Sequence, residues 1–218
     1  SDDKGQTLIL IKAVESLLRR DGRLPVNVRF LIEGEEETGG GHIESYIRAN
    51  AAECAADAAL ICDTEMFAPG VPTLCIGLRG IVYGELHVRG AAHDLHSGVY
   101  GGAVPNAIQA VAEILTALKD RAGRIHIPGY HARVTPPSPQ EREAWRSLPF
   151  NEEDYRAREV GVSELTGEPE FALLERVWAR PTLEVHGIRG GFTGEGAKTV
   201  IPAQAVAKIS SRLVAEQQ

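Results

Sequence analysis

The sequence has no apolar run near the roughly 20 residues that a bilayer-spanning helix needs, so nothing in it reads as a membrane segment. A basic stretch leading into a short apolar core, the mark of a secretory signal, is also missing. Lysine and arginine never gather into a block, and the formal net charge is −7, which argues against a nucleic-acid partner. Cysteine is scarce. Cys54, Cys62 and Cys75 are too few and too unevenly spaced for a disulfide framework or a zinc ribbon, and they are expected to be reduced, mostly buried thiols of a cytoplasmic protein. Methionine occurs once, at Met66, and the chain opens on Ser1-Asp2-Asp3-Lys4-Gly5, so the 218 residues are expected to be an excerpt of a longer polypeptide. What remains is ordinary for a globular protein: 43% hydrophobic and 24% charged residues, enough for one large domain or two modest ones.

One stretch stands apart from this background. Leu31-Ile32-Glu33-Gly34-Glu35-Glu36-Glu37-Thr38 packs four glutamates into the five residues 33–37 and runs into Gly39-Gly40-Gly41. It follows Val26, Val28, Phe30 and Ile32, which alternate like a half-buried strand. An acidic cluster alone usually means a solvated turn. Here the charges fall at the carboxyl end of an apolar strand, where open α/β sheets bind ligands, and further acidic residues end a second such strand.

The order of elements supports two modules. Apolar positions at Leu8, Ile11, Val14, Leu17 and Leu18 predict a helix over 6–20, with Arg19 and Arg20 suited to its C-terminal dipole and Asp21-Gly22 ending it. Strands are expected at 25–32, 58–62 and 72–78, with a helix at 42–50 between the first two. Ala58-Ala59-Leu60-Ile61-Cys62 is continuously apolar, as a strand buried on both faces should be, and it ends at Asp63-Thr64-Glu65. This alternation predicts an α/β unit with a parallel sheet. The pattern then changes. Residues 81–88 and 206–214 alternate as antiparallel strands, 183–188 is a third strand, and 104–119 is an amphipathic helix. A glycine-rich loop spans 90–102, a proline-rich connection 128–139, short polar helices lie within 140–180, including 170–178, and 190–196 is a flexible loop. The second half is thus expected to be an α+β module with an antiparallel sheet.

Five motifs in this order resemble the dinuclear-zinc M20 metallopeptidases, a family of carnosinase-type dipeptidases, acetylornithine deacetylases and carboxypeptidases. They are Ser1-Asp2-Asp3-Lys4-Gly5; Glu33-Gly34-Glu35-Glu36-Glu37-Thr38-Gly39; Asp63; His96-Ser97-Gly98-Val99-Tyr100-Gly101-Gly102; and Gly196-Ala197-Lys198-Thr199-Val200-Ile201-Pro202 followed by Arg212. The histidine loop and the Ala-Lys-Thr-Val-Ile-Pro run are most similar to the carnosinase-type dipeptidase branch. The resemblance implies a partial α/β catalytic domain over 1–78, its sheet of the zinc-peptidase kind, and an inserted α+β lid or dimerisation domain over 79–218.

The resemblance also implies roles. Asp2 corresponds to the carboxylate that bridges two Zn2+ ions, Glu37 to a ligand of one and Asp63 to a ligand of the other. Glu36 corresponds to the general base. His96 corresponds to a lid histidine that stabilises the oxyanion in the partner subunit's active site, which implies a homodimer formed through the lid. Thr199 and Arg212 correspond to residues that hold the substrate, a dipeptide or small peptide. The chemistry agrees with these roles: two close cations need a shared carboxylate and further Asp, Glu or His ligands, and Mn2+ or Co2+ suit the same donors. Of the adjacent glutamates, one can bind metal while the other, raised in pKa by like charge, shuttles a proton.

Alternatives accompany these expectations. Glu65 rivals Asp63, and His93 rivals His96. His42, His87, His126, His131 and His186 are expected to be surface or structural residues, and Lys198 a solvated or loop-packing one. Two further histidine ligands of the family have no counterpart in the chain, so these residues by themselves are expected to bind zinc weakly and show little activity. An N-acyl-amino-acid deacylase of the same family and a non-catalytic dimerising module are the competing functions.

Overall fold

A computed structural model describes residues 2–217. The chain divides into two compact units, Ser1–Cys75 and Ile76–Gln218.

The first unit begins with α1, Lys4–Asp21. Gly22 ends it in the left-handed region (φ 70°) and donates its N–H to Leu18 O at 2.9 Å, a closure that glycine makes without strain. A single 3₁₀ turn, Glu36–Thr38, carries the acidic motif, and Gly39 (φ 106°) closes it. Then follow α2, Gly41–Ala49, and α3, Ala51–Cys54. No strand forms among the described residues of this unit. The expected strands at 25–32, 58–62 and 72–78 are instead chain without ladder partners, and no parallel sheet forms among the described residues. Leu60 and Ile61, expected to be buried on both faces, are 74% and 82% exposed. A parallel strand is held by neighbours on both hydrogen-bonding edges and by helices over its faces. Here the apolar runs lack both, so the sequence pattern finds nothing to satisfy it. The cysteines also depart from expectation: all three are free, but Cys54 and Cys62 are only half-buried and Cys75 is exposed.

The second unit is better covered. Its strands and helices run β1, Gly80–Arg89; β2, Leu95–His96; α4, Ser97–Tyr100; α5, Ala107–Leu118; α6, Pro139–Arg146; α7, Glu152–Asp154, continuing into a π turn at Tyr155–Val160; α8, Leu173–Trp178; β3, Thr182–Gly190; β4, Val200–Ile201; and β5, Gln204–Leu213. The three long strands form an antiparallel sheet in the order β1-β5-β3. The α+β module with an antiparallel sheet is as the alternation predicts. The pair β2–β4 is not anticipated, because two-residue strands carry no readable period.

Asn106 caps helix α5, its Oδ1 accepting the Ile108 N–H at 2.9 Å. It packs Ala107 and Val111 onto Ala205 and Ala207 of β5, and Leu86, Val88, Leu115 and Ile209 surround this centre. Small alanines on the central strand let the helix approach closely, leaving Val111 fully buried. By the strand alternation, α5 covers the face bearing Ala205, Ala207 and Ile209. The side chains of Val206, Lys208, Ser210 and Arg212 belong to the other face. Helix α6 meets α8 through Trp145 and Trp178, rings edge-on at 5.7 Å. Arg180, just ahead of β3, holds Glu168 through two hydrogen bonds of 2.6 and 2.8 Å and lies over the Phe171 ring.

Candidate active-site residues

In the first unit, three acidic side chains act on the charge of Glu37. The charge of Glu36, chiefly, then that of Asp2, raises the pKa of Glu37; slight burial, a hydrogen bond with Glu36 and the charge of Asp63 push it the same way. Of the alternatives Asp63 and Glu65, the charge of Asp63 acts on Glu37, as the weakest of these causes. No lysine, arginine or histidine makes an ion pair with Asp2, Glu36, Glu37 or Asp63 among the described residues. The charges of Glu36, Asp2 and Asp63 therefore oppose that of Glu37 with no cation paired to any of the four. Among the described residues, no three His, Cys, Asp or Glu side chains are arranged closely enough to enclose a metal ion. The donor set nevertheless suits a divalent cation: acidic oxygens, mutually repelling and free of competing cations. Nearby, His42 contacts Glu35 beside an open groove lined by Leu31, Ile43 and Tyr46.

In the second unit, the structure unites two residues predicted separately. Strand β2 ends at His96, paired with Val200 of β4, and the Ser97 N–H donates to Thr199 O at 3.0 Å. The loop ahead of β2 is pinned from both ends: the Gly90 N–H donates to Ala203 O at 2.7 Å, and the Ala203 N–H donates to Asp94 Oδ1 at 2.8 Å. His96 Nδ1 accepts the Gly98 N–H at 3.0 Å. Since a backbone N–H can only donate, Nδ1 carries no proton in this arrangement, and the proton of a neutral ring sits on Nε2. That atom lies 3.1 Å from Thr199 Oγ1. Thus His96 presents a fixed N–H donor, and His93, the rival, has no such partner in Thr199.

Glycines make this turn possible. A Cβ on Gly98 would lie 2.7 Å from His96 Cε1, and one on Gly101 would lie 2.4 Å from Ser97 O. Their need is visible only in three dimensions, although the Gly-rich run marks the place. Asp94 was also missed as the anchor of the loop; an Asp beside the histidine is the only hint in the sequence.

Arg212 lies on β5 opposite Ile81 and Thr182. The other histidines have local partners: His87 with Glu85, His126 with Asp120, His131 with Ile125 O and His186 with Ser210. Lys198 sits over the Phe192 ring, the loop-packing role expected of it.

Residues 76–218 match the model of the peptidase dimerisation domain. The chain belongs to the M20 peptidase family. It is 37% identical over 216 residues to the Cys-Gly metallodipeptidase dug1 of Schizosaccharomyces pombe, covering 98% of this chain and 45% of that protein. It is 32% identical to the Beta-Ala-His dipeptidase of Rattus norvegicus, covering 98% of this chain and 44% of the relative. Among solved structures, the M20 family metallo-carboxypeptidase Sso-CP2 of Sulfolobus solfataricus superimposes with a TM-score of 0.81 at 32% identity, over all of this chain and 49% of the other. The chain thus spans less than half the length of each. No helix among the described residues is long and apolar enough to cross a membrane.

Proposed function

We propose that the protein hydrolyses the peptide bond of dipeptides or other small peptides with the help of two divalent metal ions, Zn2+ in the first instance. The observation that carries this reading is the convergence of the Asp2, Glu36 and Asp63 charges on Glu37 with no cation to balance them. The named metallodipeptidases among the relatives give the substrate class. Asp2, Glu37 and Asp63 would hold the metal. When bound, the ions supply a Lewis acid for the scissile carbonyl and lower the pKa of an attacking water.

The remaining work falls to side chains. Glu36 takes the proton of the attacking water and returns it to the leaving amine. His96 passes its single N–H, on Nε2, from Thr199 Oγ1 to the oxygen that gains charge as the carbonyl is attacked. Thr199 holds that imidazole, and Arg212 pairs with the substrate carboxylate. We take residues 1–78 as the catalytic part and 79–218 as the lid through which two copies pair, so that His96 of one copy serves the site of the other. Three unbridged cysteines support a reducing, cytoplasmic setting.

The test is metal content and hydrolysis by the full-length protein, screened on dipeptides and on N-acetyl amino acids. The expected result is bound divalent metal, dipeptide turnover, and loss of turnover with metal retained in Glu36→Gln. Preference for N-acetyl amino acids selects the deacylase. Undiminished hydrolysis by Glu36→Gln removes Glu36 as general base, and no hydrolysis by the metal-loaded wild type leaves only the dimerising module.

A further inference from the structure

Arg79 stands one residue ahead of β1, which pairs Ile81 with Arg212 on β5, and Arg212 is in turn opposite Thr182 on β3. Continuing the strand alternation places Arg79 on the face of Ile81, Arg212 and Thr182, away from α5. Arg79 Nη1 donates to Arg180 O at 3.1 Å. Arg180 precedes β3, and β5 runs between β1 and β3, so the Arg79 side chain crosses the central strand at the end where Arg212 lies. Burial pushes the Arg79 pKa down, and the charge of Arg212 pushes it further the same way.

Arg180 is committed to Glu168. Neither Arg79 nor Arg212 takes part in any ion pair with a carboxylate among the described residues. Two neighbouring guanidiniums with no acid between them repel, and an anion placed against both relieves the repulsion. The planar fork of arginine matches a carboxylate through two parallel hydrogen bonds. One Arg79 donor is used on Arg180 O, and a guanidinium has five. The carbonyl contact aims the group and leaves donors for a ligand.

We propose that Arg79 and Arg212 form a two-guanidinium clamp for a carboxylate, and that Arg79 is a second determinant of the free C-terminal carboxylate of the substrate. The assignment to substrate rests on the dipeptide reading above. A lysine at position 79 would keep the charge but lose the fork.

The experiment compares a dipeptide with its C-terminal amide in the full-length protein. Arg79→Met is expected to raise KM for the free dipeptide about tenfold, the scale of one lost charge-assisted hydrogen bond, with kcat nearly unchanged and the amide affected less than about twofold. Arg79→Lys should fall between. Equal effects on dipeptide and amide, or an unchanged KM with a lower Tm, would show Arg79 to be only a strut between β1 and β3 and would overturn the clamp. Should Arg79→Met fail to fold, titration of N-acetylalanine into wild-type protein, read at the 15Nε resonances of arginine, decides. Shifts at both Arg79 and Arg212 support the clamp; a shift at Arg212 alone, or at neither, overturns it. If the wild type turns over no dipeptide, the proposed function fails, while this titration still decides the clamp on its own.

Discussion

Thr199 Oγ1 lies 3.1 Å from His96 Nε2, joining residues 103 positions apart in the chain. With Nδ1 occupied by the Gly98 N–H, the imidazole has both nitrogens directed. A ring held at both ends loses little freedom when its Nε2–H passes from Thr199 Oγ1 to a charge developing beside it. If the full-length protein has the proposed activity, Thr199→Val is expected to lower its kcat/KM by about five- to tenfold, the worth of one neutral hydrogen bond. His96→Ala should lower it by about 100-fold or more, as for a lost oxyanion donor. Steady-state kinetics read both, and 15N spectra of the wild type should show the Nε2–H tautomer.

Gly98 tests the same ring from the other side. Gly98→Ala sets a Cβ 2.7 Å from His96 Cε1, closer than carbon atoms approach, so the imidazole must swing away. The expected outcome is a loss of activity comparable to Thr199→Val or greater, with Tm little changed because the turn is exposed. Activity equal to wild type would mean that the ring position does not matter.

The acidic cluster predicts an order of effects. Glu37 has its pKa raised first by Glu36, then by Asp2, with Asp63 contributing least. In metal-free protein, Glu36→Gln should bring the Glu37 pKa down most, Asp2→Asn less and Asp63→Asn least, as read by 13C titration of the carboxyl. The sign for stability follows. A carboxyl whose pKa is higher folded than unfolded binds its proton more tightly when folded, so its favourable contribution is present at low pH and is lost as pH rises through the folded pKa. Glu37→Gln should flatten that decline.

Glu141 runs the opposite way. At the start of α6, Ser138 and Glu141 cap each other: the Ser138 N–H donates to Glu141 Oε2 at 2.7 Å, and the Glu141 N–H donates to Ser138 Oγ at 3.2 Å. The Ser138 side chain and then its backbone hold the Glu141 pKa below its ordinary 4.5. This contribution is present above that value and is lost as pH falls through the lowered one. The difference in Tm between wild type and Glu141→Gln should vanish in acid, and Ser138→Ala should cost about 1 kcal/mol near neutrality.

Arg180 and Glu168 are each 11% exposed in their side chains and share two hydrogen bonds. Removing one partner strands the other's charge. Glu168→Gln or Arg180→Met should each cost about 3–5 kcal/mol, while the double change Glu168→Leu with Arg180→Met should cost less than either. Urea unfolding followed by the fluorescence of Trp145 and Trp178, which adjoin this region, would measure it.

Some of the molecule was written in local pattern. The periods of α1 and α5, the alternation of β1 and β5 and the glycine after Asp21 all act over a few residues, so neighbouring side chains sufficed to place them. The candidate residues were legible for a similar reason, since each sits in a short motif such as Glu35-Glu36-Glu37 or His96-Ser97-Gly98. Their grouping was not. That Thr199 holds His96, and that Arg79 reaches across β5 toward Arg180, depend on contacts between distant segments, which no local period encodes. The same limit explains the error over the first unit. Apolar runs at 25–32, 58–62 and 72–78 announce strands, but a strand exists only where another backbone accepts its hydrogen bonds, and among the described residues none does.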